Sequence, residues 1–391
     1  MNGPKPFQRL VGLLLVALLV AGCGGAPTPP SRSTAGATAT ASSPPATPPV
    51  SSPTAMPASE LEQFTTVLEQ LSADDAFSGA VLVAKDGAPI VKEAYGFADT
   101  EANRPNQVDT KFLLASITKS FTAVAIAQLA EQGKLAFTDP IRTHLPTYPN
   151  QEVADTVTIH HLLTHTSGLG DHVNEQYHAS KDTLRSVSDY LALFVDDPLA
   201  FPPGERWEYS NAGYIVLGAI IEQVAGQDYY DYVEEHIFAP AGMTNSGFYA
   251  RDQDVPNVAM GYMGTLYSRS EHTTWLPFKG DPAGGAYATV EDLLTFERAL
   301  RTHQLLNPTT TELVLSGKTD IPDSPGLKYA YGFFEFRQDG IRIVQHSGGL
   351  PGVNTEFVMD FTNGYTVIVL SNYDYPAAEY VVERFWDIVV R

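Results

Sequence analysis

Strand-forming segments lie at both ends of this chain, and a long, mostly helical region over 116–317 separates them. Near the N-terminus, segments 77–85 and 89–97 are typical of strands and are joined through Asp86-Gly87, a hairpin turn signal. Four further strands are predicted near the C-terminus, over 329–337, 341–346, 355–360 and 365–371. The pattern predicts an α+β fold, in which both chain ends build one antiparallel sheet and a large helical lobe meets it at a cleft.

Two predicted helices flank the strands in sequence. Segment 59–71 has apolar residues at three- and four-residue spacing, with Ser59 as the predicted N-cap. Segment 377–390 carries an apolar face that is suited to covering the sheet. Hydrophobic residues make up 43% of the chain and charged residues 18%, a balance typical of a globular protein. One folded domain is therefore predicted over 59–391.

The first residues have the order of a secretory signal: two basic residues, an apolar run over 10–20, and small residues before Cys23. Residues 20–23, Val-Ala-Gly-Cys, resemble the lipobox of bacterial lipoproteins, whose cysteine is lipidated after cleavage. We therefore predict a signal peptide over 1–22 and a lipid anchor at Cys23 on the extracytoplasmic face of a cell membrane. A small buried apolar residue is the other interpretation of Cys23. Because it is the only cysteine, disulfides and cysteine catalysis are excluded.

Residues 23–58 are predicted to form a disordered tether behind the lipidated cysteine. The stretch 24–58 holds nine prolines, one charged residue and no aromatic residue, so it cannot bury enough apolar surface to fold. The whole chain has a formal net charge of -21 and a sequence pI near 4.7. A nucleic-acid partner is therefore excluded, because phosphate contacts need clustered Lys and Arg.

The sequence Ser116-Ile117-Thr118-Lys119 opens a segment with apolar residues in one helical stripe, which ends near Gly133. Ser116 is predicted at a helix N-terminus, where backbone N–H groups are unpaired, and Lys119 projects from nearly the same face. A serine hydroxyl becomes a nucleophile when a base takes its proton, and a lysine can do so once its pKa is lowered. The pattern alone is equally that of an N-cap serine and an exposed lysine.

A second motif, Tyr209-Ser210-Asn211, follows a proline-rich loop and precedes a helical pattern. Residues two apart in an extended segment point the same way, so the Tyr209 phenol and the Asn211 amide are predicted to face one cleft. A buried tyrosine with a bonded hydroxyl is the other interpretation of Tyr209. A similar triplet that starts at Tyr148 lies in a polar, proline-broken stretch and is predicted to be a turn.

A third motif, His346-Ser347-Gly348-Gly349, ends the predicted strand 341–346. The glycines beside His346 would let a substrate approach the backbone, and the Gly349 N–H group is available to an oxyanion. A structural histidine at a strand end is the other interpretation.

Three further candidates have weaker patterns. The triplet that starts at Lys318 lacks a glycine in its third position and lies beside a predicted loop. His161 and His165 stand four apart, but Leu162 occupies the place of the glutamate in a zinc-protease helix, so no metal site is predicted. A Ser-His-Asp hydrolase could use Ser347, but the first glycine of a nucleophile elbow is missing there.

Together the three motifs resemble those of the serine β-lactamase and penicillin-binding-protein superfamily. The branch in question includes class C β-lactamases, D,D-carboxypeptidases, D-aminopeptidases and related esterases. The resemblance covers 59–391 and includes three supporting stretches, at 165–169, 203–211 and 284–289. It implies a β-lactamase/transpeptidase-like fold and an acyl-serine intermediate, with no metal or cofactor.

The resemblance also implies roles for the motif residues. Ser116 would attack the substrate carbonyl, and Lys119 and Tyr209 would handle its proton, either of them as the general base. The remaining residues would bind substrate or the oxyanion: Asn211, His346, Ser347, Gly348 and Gly349. Class C β-lactamases carry lysine at the position of His346, so a β-lactam carboxylate would be recognised less well here unless this histidine is protonated.

We therefore predict an exported serine hydrolase for a small amide, peptide or ester substrate. Its substrates would include peptidoglycan-derived peptides, with β-lactam hydrolysis as a weaker activity. The alternative is a non-catalytic cell-surface or peptidoglycan-binding protein that retains the fold.

Overall fold

The computed structural model describes residues 57–264 and 268–389. The predicted signal peptide, Cys23 and the predicted tether up to residue 56 lie outside the described residues. Within the described ranges, no helix is both long enough and apolar enough to cross a membrane.

One antiparallel sheet joins the two ends of the folded chain. The strands in the described residues are β1 (Gly79–Lys85), β2 (Ala88–Tyr95), β3 (Phe97–Asp99), β4 (Arg104–Pro105), β5 (Phe112–Leu113), β6 (Tyr262–Met263), β7 (Ser270–Glu271), β8 (Tyr287–Ala288), β9 (Thr319–Asp320), β10 (Leu327–Tyr329), β11 (Phe334–Gln338), β12 (Ile341–Leu350), β13 (Val353–Asp360) and β14 (Tyr365–Ser371). The large sheet has the order β2-β1-β14-β13-β12-β11-β10-β9. Because β1 pairs with β14, Val81 lies opposite Val369, and the predicted sheet from both chain ends is confirmed.

Helices fill most of the chain between β5 and β9. The α-helices in the described residues are α1 (Ala58–Ala73), α2 (Thr118–Glu131), α3 (Ile141–His144), α4 (Gln151–Thr156), α5 (Ile159–Leu163), α6 (Glu175–Ser180), α7 (Val187–Leu191), α8 (Asn211–Ala225), α9 (Tyr229–Val233), α10 (Ala239–Ala241), α11 (Val290–Arg301), α12 (Pro308–Leu315) and α13 (Ala377–Val389). Short 3-10 turns occur at Ala115–Ile117, Lys181–Thr183 and His272–Thr274, and a π-helical turn occurs at Glu234–Phe238.

Both faces of the sheet are covered. Successive side chains of a strand point to opposite faces, so one set of β1 and β14 residues packs on the two terminal helices, where Phe64 and Phe385 lie 5.4 Å apart between ring centroids. The alternate set, which includes Leu82 and Ile368, packs against the helical lobe around α2, α8 and α11. The helical lobe is therefore fixed to the sheet by a continuous apolar core.

Several predicted boundaries were wrong. The predicted strand 341–346 continues as β12 to Leu350, so the whole His346 motif lies within the strand. Helix α1 begins at Ala58 after Pro57, so Ser59 lies inside the helix and is not its N-cap. The predicted strand 329–337 is divided into β10 and β11, because the chain turns at Gly332 with a φ of 74°. A Cβ atom at Gly332 would lie 2.7 Å from the Lys119 carbonyl oxygen. This turn therefore packs the edge of the sheet directly against α2.

Candidate active site

Ser116 lies in a tight turn that leads into α2. The turn is the 3-10 segment Ala115–Ile117, and it continues without interruption into the α-helix. Its first residue, Ala115, has a φ of 48°, a left-handed conformation that is rare for residues other than glycine. The Ser116 side chain is thus presented at the start of the helix, where the sequence pattern predicted it.

Strand β12 holds this turn from the sheet side. A Cβ atom at Gly348 would lie 2.1 Å from the Leu114 carbonyl oxygen, so only glycine allows the strand to approach this closely. On the neighbouring strand, the Thr355 hydroxyl donates a hydrogen bond of 2.9 Å to the same oxygen. These contacts bring Gly349 and Ser116 to the wall of one cleft.

Helix α2 is enclosed on all sides, so the predicted single apolar stripe was wrong. Every side chain from Thr118 to Leu129 is buried except that of Gln128, as expected for a helix at the centre of a core. Lys119, one turn after Ser116, has 0% of its surface exposed. A lysine that is completely buried must find partners for its amine inside the protein.

The Lys119 amine has three oxygen partners. Its Nζ atom lies 3.1 Å from Ser116 Oγ, 2.7 Å from Asn211 Oδ1 and 2.8 Å from the Ala283 carbonyl oxygen. The last two oxygens can only accept hydrogen bonds. A neutral amine has two protons and one lone pair, so when both protons go to these carbonyl groups the lone pair is directed at Ser116. The arrangement therefore suits proton transfer from the serine hydroxyl to Lys119.

The environment of Lys119 favours this neutral form. Burial lowers the pKa of Lys119 from 10.5 to about 7, although the carboxylates of Asp281 and Asp171 act in the opposite direction. At neutral pH a large fraction of the Lys119 side chains is therefore in the neutral amine form. A base with a pKa near the working pH is the most effective kind.

Tyr209 and Asn211 approach Lys119 from the loop before α8. The Nζ atom lies 4.8 Å from the centroid of the Tyr209 ring, which packs against the His165 ring at 4.2 Å. Burial raises the pKa of the Tyr209 phenol, and its hydrogen bond with the Ser116 side chain acts in the opposite direction. The phenol is therefore neutral at physiological pH and remains a proton donor. Ser210 caps α8 by accepting the Gly213 N–H group, which fixes the loop.

The orientation of the Asn211 amide is set by a residue that the motifs did not include. Asn211 Nδ2 donates a hydrogen bond of 2.8 Å to Asp171 Oδ2, which turns Oδ1 toward Lys119. Asp171 and its neighbour His172 follow the stretch 165–169 after one glycine, and His172 lies 3.2 Å from Asp281. Their position beside a motif was the only sequence feature that indicated a role in the site, because acidic residues are common in this chain.

His346 occupies a different place from the one predicted. It is 1% exposed, and burial lowers its pKa to about 3, with the charge of Lys119 acting in the same direction. Its Nδ1 atom lies 2.7 Å from the Ser347 carbonyl oxygen, which can only accept, so Nδ1 donates there and Nε2 accepts from the Tyr329 hydroxyl at 3.1 Å. Both ring nitrogens are thus occupied inside the protein.

A cleft of about 360 Å³ opens in front of Ser116. Ser116, Asn211 and Gly349 line it, whereas Lys119 and Tyr209 contact the serine without lining the cleft. His346, Ser347 and Gly348 are not among its lining residues, because His346 packs under Tyr329 and Gly348 packs on Leu114. Of the four predicted residues of the His346 motif, Gly349 alone lines this cleft.

The weaker candidates do not form sites. His161 Nδ1 accepts a hydrogen bond from the Thr158 N–H group, and His165 Nδ1 accepts one from the Ser210 N–H group. Each of the two rings is therefore bonded to a different backbone segment. Within residues 57–264 and 268–389, no group of three or more His, Cys, Asp or Glu has a metal-binding arrangement. Tyr148 is buried in the turn between α3 and α4, and Lys318 contacts the carbonyl groups of Leu313 and Ser316.

Comparison with known proteins agrees with this geometry. The family model described as Beta-lactamase matches residues 64–389, which include every residue of the site. The chain belongs to the beta-lactamase family. This is a family of serine hydrolases, and the predicted superfamily is therefore confirmed.

Individual members of the beta-lactamase family match over most of their length. Penicillin-binding protein 4* of Bacillus subtilis (strain 168) is 31% identical over 336 residues, 81% of this chain and 73% of the relative. A penicillin binding protein from Bacillus halodurans has a TM-score of 0.74 at 37% identity, covering 81% of this chain and 97% of that one. D-amino acid amidase from Ochrobactrum anthropi SV3 has a TM-score of 0.74 at 23% identity, over 85% and 99% of the two chains, which shows the shared fold.

Proposed function

We propose that this chain is an exported serine hydrolase that forms an acyl intermediate on Ser116 and acts on small amide, peptide or ester substrates. The observation that carries the proposal is the Lys119 amine, 3.1 Å from Ser116 Oγ, with its other hydrogen-bonding directions held by Asn211 and the Ala283 carbonyl oxygen. A surface lysine that met a serine by chance would be neither completely buried nor held by two carbonyl oxygens.

In this mechanism Lys119 is the general base. The Ser116 hydroxyl gives its proton to the neutral amine while Oγ bonds to the substrate carbonyl carbon. Collapse of the tetrahedral intermediate breaks the bond to the leaving group, which takes a proton from the Lys119 and Tyr209 pair. A water molecule then attacks the acyl carbon and gives a proton to the same pair, and Ser116 Oγ takes a proton back from that pair as its bond to the acyl carbon breaks.

The tetrahedral intermediate needs donors for its oxyanion. We assign this role to the backbone N–H groups of Ser116 and Gly349, because both residues line the cleft and no atom would obstruct a Cβ at Gly349. One such donor typically contributes about 3 kcal/mol to the stability of the transition state.

The choice of substrate follows from the cleft and from His346. A cleft of about 360 Å³ suits a small molecule or the end of a peptide. Two of the similar proteins are penicillin-binding proteins, which supports a peptide-like acyl donor. Because His346 is neutral and turned away from the cleft, it offers no charge to a β-lactam carboxylate. We therefore place D,D-carboxypeptidase-, D-aminopeptidase- or esterase-like action ahead of β-lactam hydrolysis.

Labelling of Ser116 tests the proposal. A fluorophosphonate or a labelled penicillin is expected to add to Ser116, as located by peptide mass spectrometry, and the adduct should vanish in Ser116→Ala. The matched variant Ser347→Ala should keep it, which separates this mechanism from a Ser-His-Asp site. No adduct and no turnover of any ester would favour a non-catalytic cell-surface or peptidoglycan-binding protein.

We also propose that the protein is held at the outer face of a membrane through Cys23. The support is the lipobox-like order of residues 20–23 after an apolar run. Metabolic labelling with a fatty-acid analogue in a bacterial host should mark the native chain and not Cys23→Ala. Equal labelling of both would exclude this anchor.

A further inference from the structure

A buried histidine stands between two carboxylates at the wall of the Ser116 cleft. His172 Nδ1 lies 3.2 Å from Asp171 Oδ1, and Nε2 lies 3.2 Å from Asp281 Oδ2. His172 is only 4% exposed, and the loops that carry the two acids are far apart in the sequence. We call these three residues the Asp–His–Asp cluster.

Each carboxylate of the cluster holds one of the two carbonyl groups that receive the Lys119 amine. Asp171 Oδ2 accepts a hydrogen bond of 2.8 Å from Asn211 Nδ2, and Asn211 Oδ1 contacts Lys119. Asp281 Oδ1 accepts a hydrogen bond of 2.6 Å from the Ala283 N–H group, and the Ala283 carbonyl oxygen contacts Lys119. The contacts therefore form a closed ring from Lys119 through both carboxylates, with His172 as the link opposite the amine.

The charge of His172 acts on both carboxylates and, through them, on the pKa of Lys119. Burial alone would lower the pKa of His172, but the carboxylates of Asp171 and Asp281 raise it to about 9. The His172 side chain is therefore an imidazolium at neutral pH. The same carboxylates raise the pKa of Lys119. A positive charge between them offsets this effect, because it neutralises part of the field that the amine feels.

The other titratable groups around the ring are neutral. The groups that face His172 are the phenols of Tyr177 and Tyr190, and those that face Lys119 are Tyr209, Tyr214, His165 and His346. Burial raises the pKa of the tyrosines and lowers the pKa of His165 and His346, so none of them carries charge near pH 7. His172 is thus the cation that compensates the two carboxylates in this ring.

We propose that His172 is a positioning residue for Lys119: its imidazolium holds Asp171 and Asp281 in place and offsets their charge, which keeps the amine neutral and directed at Ser116. This inference rests on the proposed function, since it takes Lys119 as the base. It adds a residue that acts through ion-pair contacts with Asp171 and Asp281, which in turn hold Asn211 and Ala283.

The pH dependence of Ser116 acylation tests the inference. His172→Gln removes the charge, so the uncompensated carboxylates should stabilise the Lys119 ammonium and move the acid limb of kcat/KM upward by about one pH unit. At a pH below the limb, kcat/KM should fall about tenfold relative to the native chain. His172→Lys keeps a cation between the carboxylates and should move the limb back toward its native position. His144→Gln is the matched control, because it removes an imidazole that contacts Asp139 at 2.9 Å away from the cleft.

The outcomes separate this inference from the proposed function. If the folded His172→Gln variant is acylated with the native acid limb, His172 has no such role. If the native chain is not acylated at Ser116 at all, the proposed function fails, and the protonation of His172 then decides the inference. Nitrogen chemical shifts of the native protein should show an imidazolium at neutral pH, and a neutral His172 ring would overturn the inference even where the variants do not fold.

Discussion

The Lys119 Nζ atom lies 2.8 Å from the carbonyl oxygen of Ala283, a residue 164 positions further along the chain. That contact and the one to Asn211 use both protons of a neutral amine, so the lone pair has one remaining direction, toward Ser116. The reactivity of the serine therefore depends on a loop that no motif contains.

The activity of the native protein should rise with pH through the pKa of Lys119. Below about 7 the amine is protonated and cannot accept the Ser116 proton, so kcat/KM should fall about tenfold for each further pH unit. Hydrolysis of a small chromogenic ester between about pH 5 and pH 9 measures this profile. A rate that does not change across this range would exclude Lys119 as the base.

Replacing the lysine should remove most of the catalysis without changing the cleft. Lys119→Met keeps the length of the side chain and loses the amine, so Ser116 acylation should slow by roughly 10³-fold, the typical contribution of a general base. Stopped-flow acylation by a fluorophosphonate gives the rate. Lys134→Met, at an exposed position after α2, is the control and should react at the native rate.

A charge introduced at position 211 should change the pKa of Lys119. Asn211→Asp places a carboxylate at the position that lies 2.7 Å from Nζ, so it should raise the pKa of Lys119 and shift the acid limb of kcat/KM upward by at least about one unit. Asn211→Ala removes the acceptor without adding charge. It should lower the plateau rate and give no upward shift. Identical profiles for the two variants would contradict this account.

The Ser116 turn should be sensitive to a single methyl group on β12. In Gly348→Ala the new Cβ atom would meet the Leu114 carbonyl oxygen at 2.1 Å, so the turn or the strand must move. We expect a loss of about 1–3 kcal/mol in the free energy of unfolding, together with slower acylation. Urea unfolding measures the first quantity. Gly170→Ala, where no atom lies within 4 Å of the new Cβ, should leave the unfolding midpoint unchanged.

A buried carboxyl group that does not line the cleft should make stability depend on pH. Burial raises the pKa of Glu356 well above 4.5, and the charge of Glu379 on α13 adds to the effect. Because the folded state binds this proton more tightly, its contribution to stability is complete below the unfolded pKa and is lost as the pH rises through the folded pKa. Each pH unit in that window is worth about 1.4 kcal/mol.

Glu356→Gln mimics the protonated form and tests this dependence. Its Tm should exceed that of the native protein at about pH 8 and approach it at about pH 5. Glu62→Gln, on the exposed side of α1, is the control and should shift neither value. A Glu356→Gln variant that is equally destabilised at both pH values would show that the carboxyl group makes a hydrogen bond that glutamine cannot replace.

Much of the fold followed from local patterns. Asp86 and Gly87 both have positive φ values, as a two-residue hairpin turn requires, and strand β14 has the predicted bounds. The closing helix α13 begins at the predicted residue and continues to Val389, the last residue that the structure describes. Turn chemistry and hydrophobic periodicity act over a few residues, so they can be read without the tertiary structure. The break between β10 and β11 could not be predicted from local patterns, because it depends on the approach of Gly332 to α2.

The sequence by itself determined which residues meet: the spacing from Ser116 to Lys119 places both on one helical turn, and the motif at Tyr209 and Asn211 begins the helix that packs beside it. Only the tertiary structure decided their chemical state. Lys119 is a base because core residues from distant segments exclude water from it, and His346 is neutral and bonded to Tyr329 for the same reason. Desolvation and the closure of the Asp–His–Asp ring depend on contacts across more than a hundred positions of chain, which local spacing does not encode.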